Sequence, residues 1–104
     1  MMRIDGFDWD SGNILKNLLK HGLSKSTVED FFKNGPWIGP DLKHSDEETR
    51  FIAVGYHRNG KPMVVAFTIR VSYGAKLIRP ISARKLEKHE VRKYEEAFTK
   101  LKNR

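Results

Sequence analysis

Residues 50–84 read RFIAVGYHRNGKPMVVAFTIRVSYGAKLIRPISAR, and this stretch decides the fold. Residues 50–57 and 61–72 are rich in Val, Ile, Phe and Tyr, side chains that suit a pleated, half-buried surface. Between them stands Asn59-Gly60, a hairpin signal because both central positions of a two-residue turn need positive φ. Tyr73-Gly74 marks a second hairpin, into residues 75–83. The pattern predicts an antiparallel meander. With two-residue turns, Val54 sits opposite Val65, Ile52 opposite Phe67, Phe67 opposite Pro80 and Ile69 opposite Ile78. Those side chains form one large apolar face, expected to lie under the helices. The other face carries Phe51, Ala53, Gly55, Val64, Ala66, Thr68, Arg70, Leu77, Arg79 and Ile81, and is smaller and shallower. Arg79 lands opposite Thr68 and diagonal to Arg70. Guanidinium groups about 7 Å apart repel by about 2 kcal/mol at an effective dielectric near 20. Solvent, a carboxylate from the first half of the chain, or an anionic ligand relieves that repulsion.

Upstream, residues 3–8 are expected to form a short first strand. Asp10 or Ser11 can cap a helix in which Ile14, Leu15, Leu18 and Leu19 make an apolar stripe, ended by a left-handed Gly22. Ser26 with Glu29 is a capping-box pattern for a second helix, unless its first turn already starts at Ser24. Val28, Phe31 and Phe32 supply its buried side. Asn34-Gly35-Pro36 stops it, and a loop follows. Residues 85–102 return to a helical period, with Leu86, His89, Val91, Tyr94, Phe98 and Leu101 along one side. The expected class is α+β: two N-terminal helices and a C-terminal helix packed on a three- to four-stranded antiparallel sheet.

The chain has 104 residues, one domain's worth of sequence, so residues 1–104 are read as a single domain. No apolar run approaches the ~20 residues a membrane helix needs. The acidic, aliphatic-poor start does not resemble a signal peptide. With no cysteine there is neither a disulfide framework nor a thiolate metal site, in keeping with a cytoplasmic protein. The net charge of +7 is unevenly spread. Residues 1–49 hold six bases and nine acids, and residues 50–104 hold fourteen bases and four acids. Such segregation points to a polyanion or an acidic protein partner, since solubility alone favours mixed signs.

The chain carries, in order, Phe7-Asp8-Trp9-Asp10, Asn17-Leu18, Lys20-His21-Gly22-Leu23-Ser24, Glu48-Thr49-Arg50, Phe67-Thr68-Ile69-Arg70 and Ile78-Arg79-Pro80-Ile81-Ser82-Ala83-Arg84, followed by Glu90 and Tyr94. Taken together, these motifs resemble the BrnT toxin family. The resemblance implies a toxin of a type II toxin–antitoxin module with a fold similar to RelE-type ribonucleases. It implies RNA cleavage that halts translation, and neutralisation by a BrnA-like antitoxin with a ribbon-helix-helix region, in a hetero-oligomer expected to be a heterotetramer. DNA would be reached only through that antitoxin, and no membrane is involved.

Metal-independent RNA cleavage uses the neighbouring 2′-hydroxyl as nucleophile, so the enzyme must move protons and neutralise a phosphorane-like transition state. Arginine suits the second task, because its planar fork binds phosphate oxygens and keeps its charge. Arg70, Arg79 and Arg84 are the candidate catalytic arginines. Lys20, Arg50 and Lys85 are candidate RNA-binding residues. His21 is the candidate general acid–base, since its reference pKa near 6.5 serves both directions. It equally fits a helix C-cap. Tyr94 fits a phenolic donor or a core contact, and Trp37 fits core or edge packing, or base stacking. The acidic residues 41–48 are expected to form an exposed linker. No cofactor or metal is expected. A metal-dependent reading through Asp41, Glu48 and Arg50 is weaker, because spaced acids discriminate poorly. Two rivals keep the basic sheet without catalysis: an RNA- or DNA-binding module, and a corepressor that binds only its protein partner.

Overall fold

The computed structural model describes residues 4–10, 12–41, 43, 49–57 and 59–102. The elements run β1 (Gly6–Phe7), α1 (Ile14–Lys20), α2 (Lys25–Lys33), β2 (Trp37–Pro40), β3 (Phe51–Tyr56), β4 (Pro62–Ser72), β5 (Ala75–Lys85) and α3 (Lys88–Lys102). The strands form one five-stranded sheet in the order β1-β5-β4-β3-β2. The class is α+β, as expected, but the sheet is larger and mixed. β1 runs parallel to β5, through Gly6 opposite Leu77 and Phe7 opposite Ile78. Residues 37–40, expected as loop, pair with β3 as an edge strand. The signal was present in Trp37 and Ile38, but the flanking Gly-Pro pairs read as breakers. A proline at a sheet edge is tolerated because its missing N–H faces no partner.

The second hairpin follows the expected register. Tyr73 (φ 50°) and Gly74 (φ 81°) make the tight turn, and Ile69 pairs with Ile78. The first hairpin does not. His57 N–H donates to the Lys61 carbonyl and Gly60 adopts φ 82°, so the loop holds three residues rather than two. Ala53 therefore faces Val65, and Ile52 faces Ala66. One residue of slip turns every β3 side chain to the opposite face. Ala53 now joins Met63, Val65, Phe67 and Ile78 in the main core, while Ile52 and Val54 point the other way.

The helices consequently divide between both faces. Ile14 and Leu18 of α1, with Val28 and Phe31 of α2, close the main core, where Phe32 meets Phe67 edge-on at 5.1 Å. α3 covers part of the opposite face with Val91, against Val54, Val64 and Leu86, and with Phe98 beside Trp37. The expectation that all helices share one apolar face is corrected by the β3 flip. It moves Ile52 and Val54 to the second face, which then needs its own cover.

Helix ends match their local chemistry. Ser24, not Ser26, is the N-cap of α2, its Oγ accepting from Thr27 N–H at 3.2 Å. α1 starts after Asn13 without a side-chain cap. Asp10 instead has its N–H bound by the Asp8 carboxylate, and Ser11 lies outside the described residues. At the other end Gly22 takes φ 65°, with Leu23 N–H on the Leu18 carbonyl and Gly22 N–H on that of Leu19, a Schellman closure.

β5 carries one irregularity. Ala66 pairs with Ser82 but Phe67 pairs with Pro80, so Ile81 is an extra, bulged residue. Below the bulge Ile78 and Pro80 face the main core. Above it Ala83 does so, and Arg84 turns to the face beneath α3.

Candidate functional site

A cleft of about 510 Å³ lies where the second sheet face meets α3 and the end of α1. His21, Arg50, Lys43, Asp41, Arg84 and Tyr94 all border it. β5 supplies Arg84 because of the Ile81 bulge. α1 supplies His21 because Asn17 ties the helix to the sheet edge: its Oδ1 accepts from Ala83 N–H at 2.8 Å. β1 pairs with β5 only at Leu77 and Ile78, which leaves the Ala83 N–H open to this side chain. The helix end is closed by the backbone through Gly22 and Leu23, so the His21 imidazole is not needed as a cap.

Arg84 is held in a fork. Its Nη1 lies 3.2 Å from Glu90 Oε1 and its Nη2 2.8 Å from Oε2. The same carboxylate accepts from Glu87 N–H at 3.2 Å, capping α3 from inside its first turn. Glu90 thus locks the start of the helix to the arginine. The Arg84 hydrogen bond, helped by the Glu87 N–H, holds the Glu90 carboxyl at about 2, below its ordinary 4.5. In return the Glu90 hydrogen bond raises the Arg84 pKa, so its charge is permanent. Both groups remain partly open to solvent. The pairing therefore serves orientation first.

The other expected site residues are placed differently. Arg70 and Arg79 share the sheet face of Arg84 but do not border the cleft. Arg70 is exposed, with its Nε 3.7 Å from Asp8 Oδ2. Arg79 donates from Nη2 to the Asp10 carbonyl at 3.3 Å, and its Nε is buried without a partner. The register places Arg70 six residues along β4 from Val64, the partner of Arg84, or about 20 Å at strand rise. Lys85 pairs with Met63, turns to the opposite face and borders a small hollow beside Gly22 and Leu23. Lys20 is exposed on α1 and does not border the cleft. Tyr94 packs on the second core, as its core-contact reading expects, and it also borders the cleft. Trp37 is a half-exposed edge-strand residue 6.4 Å from the Phe98 ring, as edge packing requires.

Asn17, Lys43 and Asp41 were not singled out for the cleft. Asn17 and His21 stand four apart on one helix flank, a polar pair beside an apolar stripe, and that spacing was a usable signal. Asp41 was read as exposed linker, yet it is buried and its N–H donates to the Arg50 carbonyl. This bond continues the β2–β3 ladder by one step, which draws Asp41 in. Of the metal-dependent reading, Glu48 lies outside the described residues. Among the described residues no three His, Asp or Glu side chains gather as ligands, and no helix is long and apolar enough to cross a membrane.

A family model described as "Ribonuclease toxin, BrnT, of type II toxin-antitoxin system" matches residues 9–90. That span runs from Trp9 to Glu90 and includes His21, Arg50 and Arg84. No curated protein matches the chain. With that match over most of its length, the chain belongs to the BrnT family of ribonuclease toxins.

Proposed function

We propose that this chain is a metal-independent endoribonuclease that cleaves RNA by attack of a 2′-hydroxyl on the adjacent phosphorus. The observation that carries the reading is the meeting of His21, Arg50 and Arg84 at one cleft. His21 takes the 2′-hydroxyl proton or returns a proton to the departing 5′-oxygen. Arg84, oriented by Glu90, and Arg50 neutralise the charge that builds on the phosphoryl oxygens. Tyr94 supplies a phenolic hydroxyl for the remaining proton. The P–O5′ bond breaks as the P–O2′ bond forms, leaving a 2′,3′-cyclic phosphate and a 5′-hydroxyl. Arg70 and Arg79 contact RNA outside the scissile phosphate. In the cell a ribbon-helix-helix antitoxin of the BrnA kind neutralises the enzyme in a heterotetramer, and translation stops when the antitoxin is lost.

The test is incubation of the purified protein with end-labelled single-stranded RNA in EDTA. We expect cyclic-phosphate ends, and no cut where the preceding nucleotide is 2′-deoxy. A strict need for magnesium, or intact RNA after prolonged incubation, overturns the reading in favour of a binding module.

A further inference from the structure

The four apolar residues of α1 do not share one side. Ile14 and Leu18 are buried at 1% and 3%, whereas Leu15 is 53% and Leu19 81% exposed. At about 100° per residue, Leu15 and Leu19 stand on the flank opposite Asn17 and His21, with Lys16 and Lys20 on the outer side between the two flanks. All four outer residues are exposed, and the helix contains no acid. A leucine pair four residues apart, edged by lysines four residues apart, is the surface an amphipathic helix uses to receive another.

We infer that this outer side of α1, Leu15 and Leu19 with Lys16 and Lys20, is a docking surface for an acidic amphipathic helix of the antitoxin. Charge complementarity selects the occupant. A second copy of this chain would bring Lys16 and Lys20 against like charges, within a chain of net charge +7. A partner offering leucine-type side chains to the ridge and Asp or Glu to the lysines meets neither penalty. The ridge faces away from the cleft, so the antitoxin grips it independently of the RNA-cleaving residues. This rests on the toxin reading only for the partner's identity.

The test uses the full chain and its cognate antitoxin, encoded beside it. Leu15→Ser/Leu19→Ser and Lys16→Glu/Lys20→Glu variants are titrated with antitoxin by calorimetry, and each is assayed alone for RNA cleavage. Both variants replace exposed side chains, so circular dichroism should match the unaltered chain, and the leucine variant should keep its cleavage as well. We expect the antitoxin Kd to rise at least about tenfold in each. An unchanged Kd in both variants overturns the docking surface. So does a wild-type homodimer that the leucine variant dissolves. Absence of cleavage in the unaltered chain counts against the ribonuclease reading alone, because the binding comparison still stands.

Discussion

The Arg84 guanidinium and the Glu90 carboxylate lie in register, two parallel N–H to O contacts of 3.2 and 2.8 Å. The same carboxylate caps α3, so the arginine's direction and the helix's starting point are one constraint. Glu90→Gln keeps the cap but loses the charged fork. We expect kcat for RNA cleavage to fall about tenfold with little change in KM, whereas Arg84→Ala loses at least about a hundredfold. Equal losses from both would mean that Glu90 does more than orient Arg84.

The same pair sets an acid limit on stability. The Glu90 pKa is depressed in the folded chain to about 2 from 4.5, so its contribution is whole above 4.5 and is lost as pH falls toward 2. Urea unfolding followed between pH 6 and pH 2.5 should therefore show a shallower acid loss in Glu90→Gln than in the parent chain. Parallel curves would rule the pair out as a source of acid sensitivity.

His21 separates from its helix-ending neighbourhood, because Gly22 and Leu23 make the closing hydrogen bonds. His21→Ala should leave stability within about 0.5 kcal/mol. Cleavage should fall by about a hundredfold or more. A large drop in melting temperature with cleavage retained would return the imidazole to a structural role.

Asn17 joins α1 to the open edge of β5 by a partly buried bond to Ala83 N–H. Asn17→Ala removes the acceptor and leaves the amide unpaired. The expected cost is about 1–3 kcal/mol by denaturant unfolding. Cleavage should fall as well, since the end of α1 carries His21. Asn17→Asp, which keeps an acceptor, should recover most of the stability.

Gly39 lies under the Phe98 ring, where a Cβ would collide with the ring carbons. Gly39→Ala should destabilise by about 1–3 kcal/mol through overpacking. Combining it with Phe98→Leu should cost less than the sum of the two single changes, a coupling that a double-mutant cycle measures.

The two halves of the meander show what local sequence carries. Tyr73-Gly74 dictated its own turn, so Arg79 fell opposite Thr68 as the alternation implied. Asn59-Gly60 specified a reversal without specifying loop length, and the third residue turned β3 over. Residues 37–40 gained strand character only from pairing with β3, a long-range contact that propensity does not report. At the site, the residue types His21, Arg50 and Arg84 were legible. Asp41 was not, because it reaches the cleft through backbone pairing with Arg50, while for Asn17 only its spacing from His21 was legible and not its side-chain bond to the distant Ala83 N–H. The arginines expected as one crowd spread along the sheet, since alternation fixes a face but not a distance.

The bulge at Ile81 has an evolutionary consequence. Removing that single codon would straighten β5 yet leave Ser82, Ala83 and Arg84 opposite Ala66, Val65 and Val64, so the guanidinium would keep its outlook. An in-frame three-base deletion at this spot is thus one a lineage can carry while the poison stays armed, whereas losing a codon on either side of it would not be so forgiving.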